Sequence, residues 1–203
     1  MQRVISYIDG FNLYYGLRSQ GWKRFYWLNL HQMTLHLLKS SQRLVQIKYF
    51  TSIVDLPVPK HRRQATFLDA LRTLPDLEIH YGHFLGETIS CSRCGHSYQT
   101  HHEKMTDVNI AVELMSDAFQ DRFDVALLVT ADSDLVGPVK AVKRLFGDKR
   151  VVSVFPPGRY SNALKQHAHA YTHLGRDALA HSVFPNEVLK SDGYVLHRPP
   201  EWG

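Results

Sequence analysis

The sequence predicts an α/β fold: an open, mainly parallel sheet of about five strands with helices on both faces. Three observations carry this reading. Short apolar runs of strand length alternate along the chain with segments of helical period, and such alternation builds parallel sheets through crossover helices. Val125-Ala126-Leu127-Leu128-Val129 is apolar at every position, as a strand buried on both faces must be. The 203 residues are 44% hydrophobic and 21% charged, ordinary values for a globular chain with enough apolar material for a core.

Taken in order, residues 4–8 form the first strand, and Asp9-Gly10 reads as the turn that stops it. Helices are expected over 11–16 and 28–38, the second with apolar positions at Leu30, Met33, Leu37 and Leu38. Between them, Gly21-Trp22-Lys23-Arg24-Phe25-Tyr26-Trp27 is too aromatic and basic for a plain linker. Residues 45–50 alternate apolar and polar, as a strand does. Pro57 and Pro59 break the chain before a helix over 60–74, and 77–81 gives a third strand. Residues 82–102 fit no regular pattern, and an irregular stretch this long carries a function or a small fold of its own. Val108, Ala111, Val112, Met115, Ala118 and Phe119 then draw one stripe at helical spacing, the expected buried face of the next helix. After the fourth strand, 125–129, a helix is expected over 135–146, with Pro138 tolerated in its first turn. Residues 151–155 are the fifth strand, and Ser161 caps a helix running to 169. The domain is expected over 1–175 with the irregular insert near 82–102, and 176–203 as a short helix followed by an extended strap.

Composition excludes several classes. No apolar run approaches the roughly 18 residues that span a bilayer, and Asp9 arrives too early for a secretory signal. Two cysteines, Cys91 and Cys94, fit a reduced, cytoplasmic setting. The net charge of +5 leans toward polyanionic partners, although 13 histidines blur that figure.

In open α/β sheets the chemistry lies outside the carboxyl ends of the strands, where the strand order reverses. Asp9 ends the first strand, while Asp132 and Asp134 in Thr130-Ala131-Asp132-Ser133-Asp134 end the fourth. Asp107 begins the helix that feeds the fourth strand. If the first and fourth strands are neighbours, four carboxylates converge and repel one another unless a cation holds them. Oxygen-only ligands suit Mg²⁺ or Mn²⁺ rather than zinc. Taken singly, each aspartate also fits a turn or a helix cap. Competing α/β chemistries lack their motifs: there is no GxGxxG after the first strand, no GxxxxGK[ST] and no GxSxG. Phe11 stands where a phosphoryl-transferring aspartate would want a second acid.

Three motifs in this order, Ile8-Asp9-Gly10-Phe11-Asn12-Leu13-Tyr14, Glu103-Lys104-Met105-Thr106-Asp107-Val108-Asn109-Ile110-Ala111 and Thr130-Ala131-Asp132-Ser133-Asp134-Leu135, resemble the NYN domain. That family is a branch of the PIN-like metal-dependent ribonucleases. The resemblance runs to about Tyr171. It implies a Rossmann-like fold, one or two Mg²⁺ or Mn²⁺ ions at the acidic cluster, and hydrolysis of RNA phosphodiesters. By position, Asp9, Asp107, Asp132 and Asp134 match the family's acidic residues, Asn12 its polar residue after the first aspartate, and Thr130 the hydroxyl before Asp-x-Asp. A metal held there lowers the pKa of a bound water and neutralises phosphate oxygens. Asn12 is then available to orient water or phosphate, Lys104 to add positive charge, and Ser133 joins the substrate-binding set.

Single-stranded RNA needs cations along its backbone and flat side chains under its bases. Residues 22–27 supply both; Lys23, Arg24 and Arg159 are the expected RNA contacts, while Trp27 and Tyr26 are expected to pack inward. Lys60, His61, Arg62 and Arg63 add cations at a helix start. Cys91-Ser92-Arg93-Cys94-Gly95 is half of a zinc knuckle. With His80, His83, His96, His101 or His102 a Cys₂His₂ site holding Zn²⁺ is arithmetically open, against a degenerate ribbon with free cysteines. His169 and His173 share a helical face without the acid of an HExxH motif.

The resulting expectation is a cytoplasmic, Mg²⁺- or Mn²⁺-dependent ribonuclease acting on single-stranded or structured RNA. The alternative is a non-catalytic RNA- or protein-binding module on the same fold, and a third reading is a nucleotide phosphohydrolase. A homodimer buried through the aromatic loop stays open.

Overall fold

The computed structural model describes residues 1–54, 57–90 and 93–203, with 83–90 and 98–104 described by their backbone. The chain runs β1 (Gln2–Asp9), α1 (Gly10–Ser19), a 3-10 turn (Lys23–Tyr26), α2 (Leu30–Leu35), β2 (Gln42–Thr51), α3 (Val58–Leu71) and β3 (Leu77–Tyr81). It continues through β4 (His83–Ser90), β5 (Ser97–Lys104), α4 (Thr106–Phe119), β6 (Val125–Val129), a second 3-10 turn (Ser133–Leu135) and α5 (Val136–Leu145). The last elements are β7 (Arg150–Phe155), α6 (Asn162–His167), β8 (Ala170–His173), α7 (Arg176–Ala180), β9 (Glu187–Leu189) and β10 (Val195–His197).

Six strands form one parallel sheet in the order β3-β2-β1-β6-β7-β8. The order reverses between β1 and β6, so the first and fourth expected strands are indeed neighbours. Their register pairs Ile8 with Val129 and so brings Asp9 beside Thr130. The two faces carry separate cores. Leu13 and Leu17 of α1, Met33 of α2, Leu68 and Leu71 of α3 and Leu179 of α7 pack on one. Ile110 and Leu114 of α4, Val139 and Val142 of α5 and Leu164 of α6 pack on the other. Residue alternation along β1 sends Val4 and Ile8 to the first core and Ile5 and Tyr7 to the second. Asp9, on the parity of Ile5 and Tyr7, therefore belongs to the α4 side.

Several expectations are corrected. The insert is not irregular: β4 and β5 pair as an antiparallel hairpin, from His83 opposite Lys104 to Ser90 opposite Ser97. The sheet has six strands, because Ala170–His173, which follow the helix expected to end at 169 and fall in no expected strand, form the edge strand β8; all four of its residues are exposed, so no apolar alternation marked it. The extended strap is the β9–β10 hairpin, with Trp202 beyond it packed among the α1 and α3 side of the core. On α4 the buried positions are Thr106, Ile110, Leu114, Asp117 and Ala118, whereas Val108, Val112 and Phe119 of the expected stripe are exposed. The helix carries two apolar stripes. The one containing Asp117 faces inward because Lys48 of β2, itself buried, meets that carboxylate at 2.6 Å. The 28–38 helix shrinks to α2.

Candidate metal centre

Asp9 is the last residue of β1 and the N-cap of α1: one carboxylate oxygen accepts the main-chain N–H of Asn12 at 2.9 Å. Gly10 begins α1 rather than serving as a turn. A Cβ there would stand 2.5 Å from the Tyr49 hydroxyl and 2.8 Å from the Phe50 carbonyl oxygen, so the close approach of β2 requires glycine. The second Asp9 oxygen accepts the Thr130 hydroxyl at 3.0 Å. That hydroxyl oxygen in turn accepts the main-chain N–H of Asp132 at 3.1 Å. Asn12 reaches across as well, its Oδ1 accepting the N–H of Ala131 at 3.2 Å. Thus Asp9, the N-cap of α1, and Asn12 in its first turn fix the backbone that follows β6, and both Asp9 and Thr130 are buried.

That backbone aims the remaining acids. Asp132 caps the turn Ser133–Leu135, its Oδ1 accepting the N–H of Asp134 at 3.0 Å. Asp107 comes from the first turn of α4. One oxygen from each of Asp107, Asp132 and Asp134 falls within 4.8 Å of the others. Among the described residues this is the one group of three or more such side chains. The donor set is all carboxylate and part-exposed, which fits a hard divalent cation such as Mg²⁺ or Mn²⁺. Three of the four expected acids are gathered in this group; Asp9 is joined through the Thr130 hydroxyl to the loop that carries Asp132 and Asp134.

The other expected residues scatter. Ser133 is exposed within the turn between Asp132 and Asp134. Arg159, in the turn after β7, places its guanidinium 6.0 Å from the centre of the Tyr15 ring on α1. Lys23 and Arg24 are exposed on the first 3-10 turn, Arg24 lying 5.5 Å over Phe25. Trp27 is buried and its indole N–H donates to the Pro185 carbonyl at 2.8 Å. The Lys104 side chain lies outside the described residues, as do Cys91 and the side chains of His83, His101 and His102. Cys94 is an exposed free thiol.

Sequence reasoning missed the aromatic face of α1. Phe11, Tyr14 and Tyr15 fall at i, i+3 and i+4, with Phe11 and Tyr15 stacked at 6.3 Å and Tyr14 5.0 Å from Tyr26. That spacing was readable. What it faces was not, because Phe67 and Trp202 come from distant parts of the chain.

The family model of the NYN domain matches residues 3–199. The chain belongs to the NYN domain family. Its fold is therefore that of the PIN-like nucleases, and its acidic group lies at the switch point expected of such a sheet. Among curated proteins this NYN chain is 27% identical to 6-hydroxy-3-succinoylpyridine 3-monooxygenase HspA of Pseudomonas putida, over 86% of its own length. It spans 66% of that relative. Among solved structures it resembles a protein of unknown function from Vibrio parahaemolyticus, with a TM-score of 0.58 and 18% identity, covering 87% of this chain and 94% of the other. That likeness concerns the fold. Among the described residues, no helix is long and apolar enough to cross a membrane.

Proposed function

We propose that this protein is a metal-dependent ribonuclease of the cytoplasm, hydrolysing phosphodiester bonds in single-stranded or structured RNA. The observation that carries the reading is the meeting of Asp107, Asp132 and Asp134 within 4.8 Å at the reversal of strand order. These three carboxylates would hold Mg²⁺ or Mn²⁺. Such an ion supplies Lewis acidity toward phosphate oxygens and a nucleophilic water at neutral pH. Asp9 and Asn12 keep the 130–134 backbone in place, through Thr130 and Ala131 respectively. The Asp9 carboxylate is near enough for its charge to add to the burial that pushes the Tyr49 hydroxyl well above its usual range. Ser133 and Arg159 lie at the same carboxyl edge and would meet the RNA backbone, with Lys23, Arg24 and Lys104 extending the cationic track.

The test is a cleavage time course on labelled RNA with Mg²⁺, with Mn²⁺ and with EDTA, beside an Asp132→Asn/Asp134→Asn variant. Cutting that needs metal and disappears in the variant is the expected result. Purified protein that binds RNA yet cuts none would overturn the nuclease in favour of a binding module. A second reading, chemistry on a small aromatic molecule of the kind named for the Pseudomonas relative, is favoured by one feature: an aromatic-walled cavity beside α1.

A further inference from the structure

A cavity of about 580 Å³ lies between α1, the Lys23–Tyr26 turn, the carboxyl end of β2, α3 and the C-terminal Glu201–Trp202. The volume falls in the range of small-molecule sites. Its walls are flat rings. Tyr14 and Tyr26 lie 5.0 Å apart, Tyr26 and Trp202 5.8 Å, and Phe67 and Trp202 6.2 Å. Four cations line it: Arg18, Lys23, Lys60 and Arg63. Among the described residues its lining holds a single carboxylate, Glu201, and Arg63 engages that one at 2.8 Å. Arg18, Lys23 and Lys60 are exposed, so the cavity carries an excess of positive charge beside its rings.

Aromatic walls accept a planar ring by offset stacking or edge contact, and exposed cations beside them accept an anionic group attached to that ring. A neutral aliphatic ligand would leave this charge unused. We propose that the cavity binds a planar aromatic anion of about mononucleotide size, its ring against Tyr14, Tyr26 and Phe67 and its charge at Arg18, Lys23 and Lys60. Gly10 and Phe11, which directly follow Asp9, line the same cavity, so the occupant sits beside the carboxyl edge of the sheet that carries the acidic group. Two sources offer this chemistry, a terminal nucleotide of an RNA chain and a free aromatic acid. The inference does not rest on the nuclease reading, since binding here needs neither metal nor cleavage.

Isothermal titration of the full chain in EDTA tests it. The probes are uridine 5′-monophosphate, adenosine 5′-monophosphate and pyridine-3-carboxylate, with the uncharged nucleoside uridine and pyridine-3-carboxamide as controls. Saturable binding of at least one anion is expected, with its neutral counterpart weaker by about tenfold or more. An Arg18→Ala/Lys60→Ala variant, altered only at exposed positions, is expected to lose about tenfold in affinity, while Asp132→Asn binds as wild type. A 5′-phosphorylated RNA that displaces the probe assigns the site to an RNA end; an RNA that does not displace a bound probe assigns it to a free small molecule. No saturable binding of any anion, or equal affinity in the charge variant, overturns the proposal, whatever the cleavage assay shows.

Discussion

Thr130 is the smallest feature on which the acidic group depends. Its hydroxyl donates to Asp9 and accepts from the Asp132 N–H, so a single oxygen joins the β1 acid to the loop that aims Asp132 and Asp134. Thr130→Val keeps the shape and removes both bonds. Leaving buried polar groups without these partners costs about 1–3 kcal/mol. Loss of such a supporting contact typically lowers metal affinity about 10- to 100-fold. Urea unfolding and Mn²⁺ titration of the variant measure the two effects. An unchanged Mn²⁺ affinity would show that Thr130 supports the fold alone. The residue identities here were readable from the sequence, since the three motifs name every member of this chain of bonds. The division of labour was not. Three aspartates at strand ends and one at a helix start look equivalent until the β1–β6 register sets Asp9 against Thr130 and Asp107 joins Asp132 and Asp134 as the group.

At the scale of the element, α4 brings Asp107 to the site, and a buried ionic cluster docks it. Lys48 meets Asp117 and Glu113 at 2.6 Å each, while Asp117 also accepts from the Tyr7 hydroxyl and from Arg122. Burial first, and then the Asp117 charge, push the Tyr7 hydroxyl well above its usual range. Asp117→Ala leaves Lys48 buried beside a single remaining acid, a kind of change that costs about 3–5 kcal/mol. Lys48→Met/Asp117→Leu removes charge from both sides and is expected to be less destabilising than Asp117→Ala alone, though Tyr7 still loses its acceptor. Denaturant midpoints of the two variants decide this. A double variant as unstable as the single would mean that the cluster fixes α4 in a way apolar packing cannot replace. This cluster explains why the expected stripe of α4 packs only in part: Ala111, Met115 and Ala118 meet the core while Val108, Val112 and Phe119 are exposed, and an inward aspartate gains its logic only when Lys48 arrives from another strand. The β4–β5 hairpin and β8 escaped for a related reason. Ladder pairing is a backbone matter, and Ser97–Lys104 and Ala170–His173 carry too few apolar residues to show alternation. The fully apolar β6, by contrast, was placed to the residue.

Across the whole molecule, the parallel sheet separates function from fastening. Its carboxyl edge holds the acidic group, while its amino edge is pinned by opposite charges. The Arg3 N–H donates to Asp124 at 2.6 Å, and its guanidinium bonds Asp124 and Asp121 at 2.8 Å each, while Lys149 pairs with Asp121 and Asp148. Arg3 is the second residue of β1 and Asp124 precedes β6, so this fastening ties together at one edge the two strands whose other ends make the site. The Arg3 guanidinium, aided by its main-chain N–H, lowers the Asp124 carboxyl from the ordinary 3.8 to about 2. A carboxylate depressed in the folded state adds stability above its unfolded value and loses that contribution as pH falls through its folded one. The advantage of wild type over Asp124→Asn is therefore expected to be full near neutral pH, to shrink below about 4 and to vanish near pH 2. Urea midpoints of both proteins across that range measure it, and high salt should narrow the gap because the pair is partly exposed. A gap that stays constant down to the acid limit would mean that Asp124 acts through hydrogen-bond geometry that asparagine reproduces only in part. The charge of the pair would then contribute nothing to holding β1 against β6.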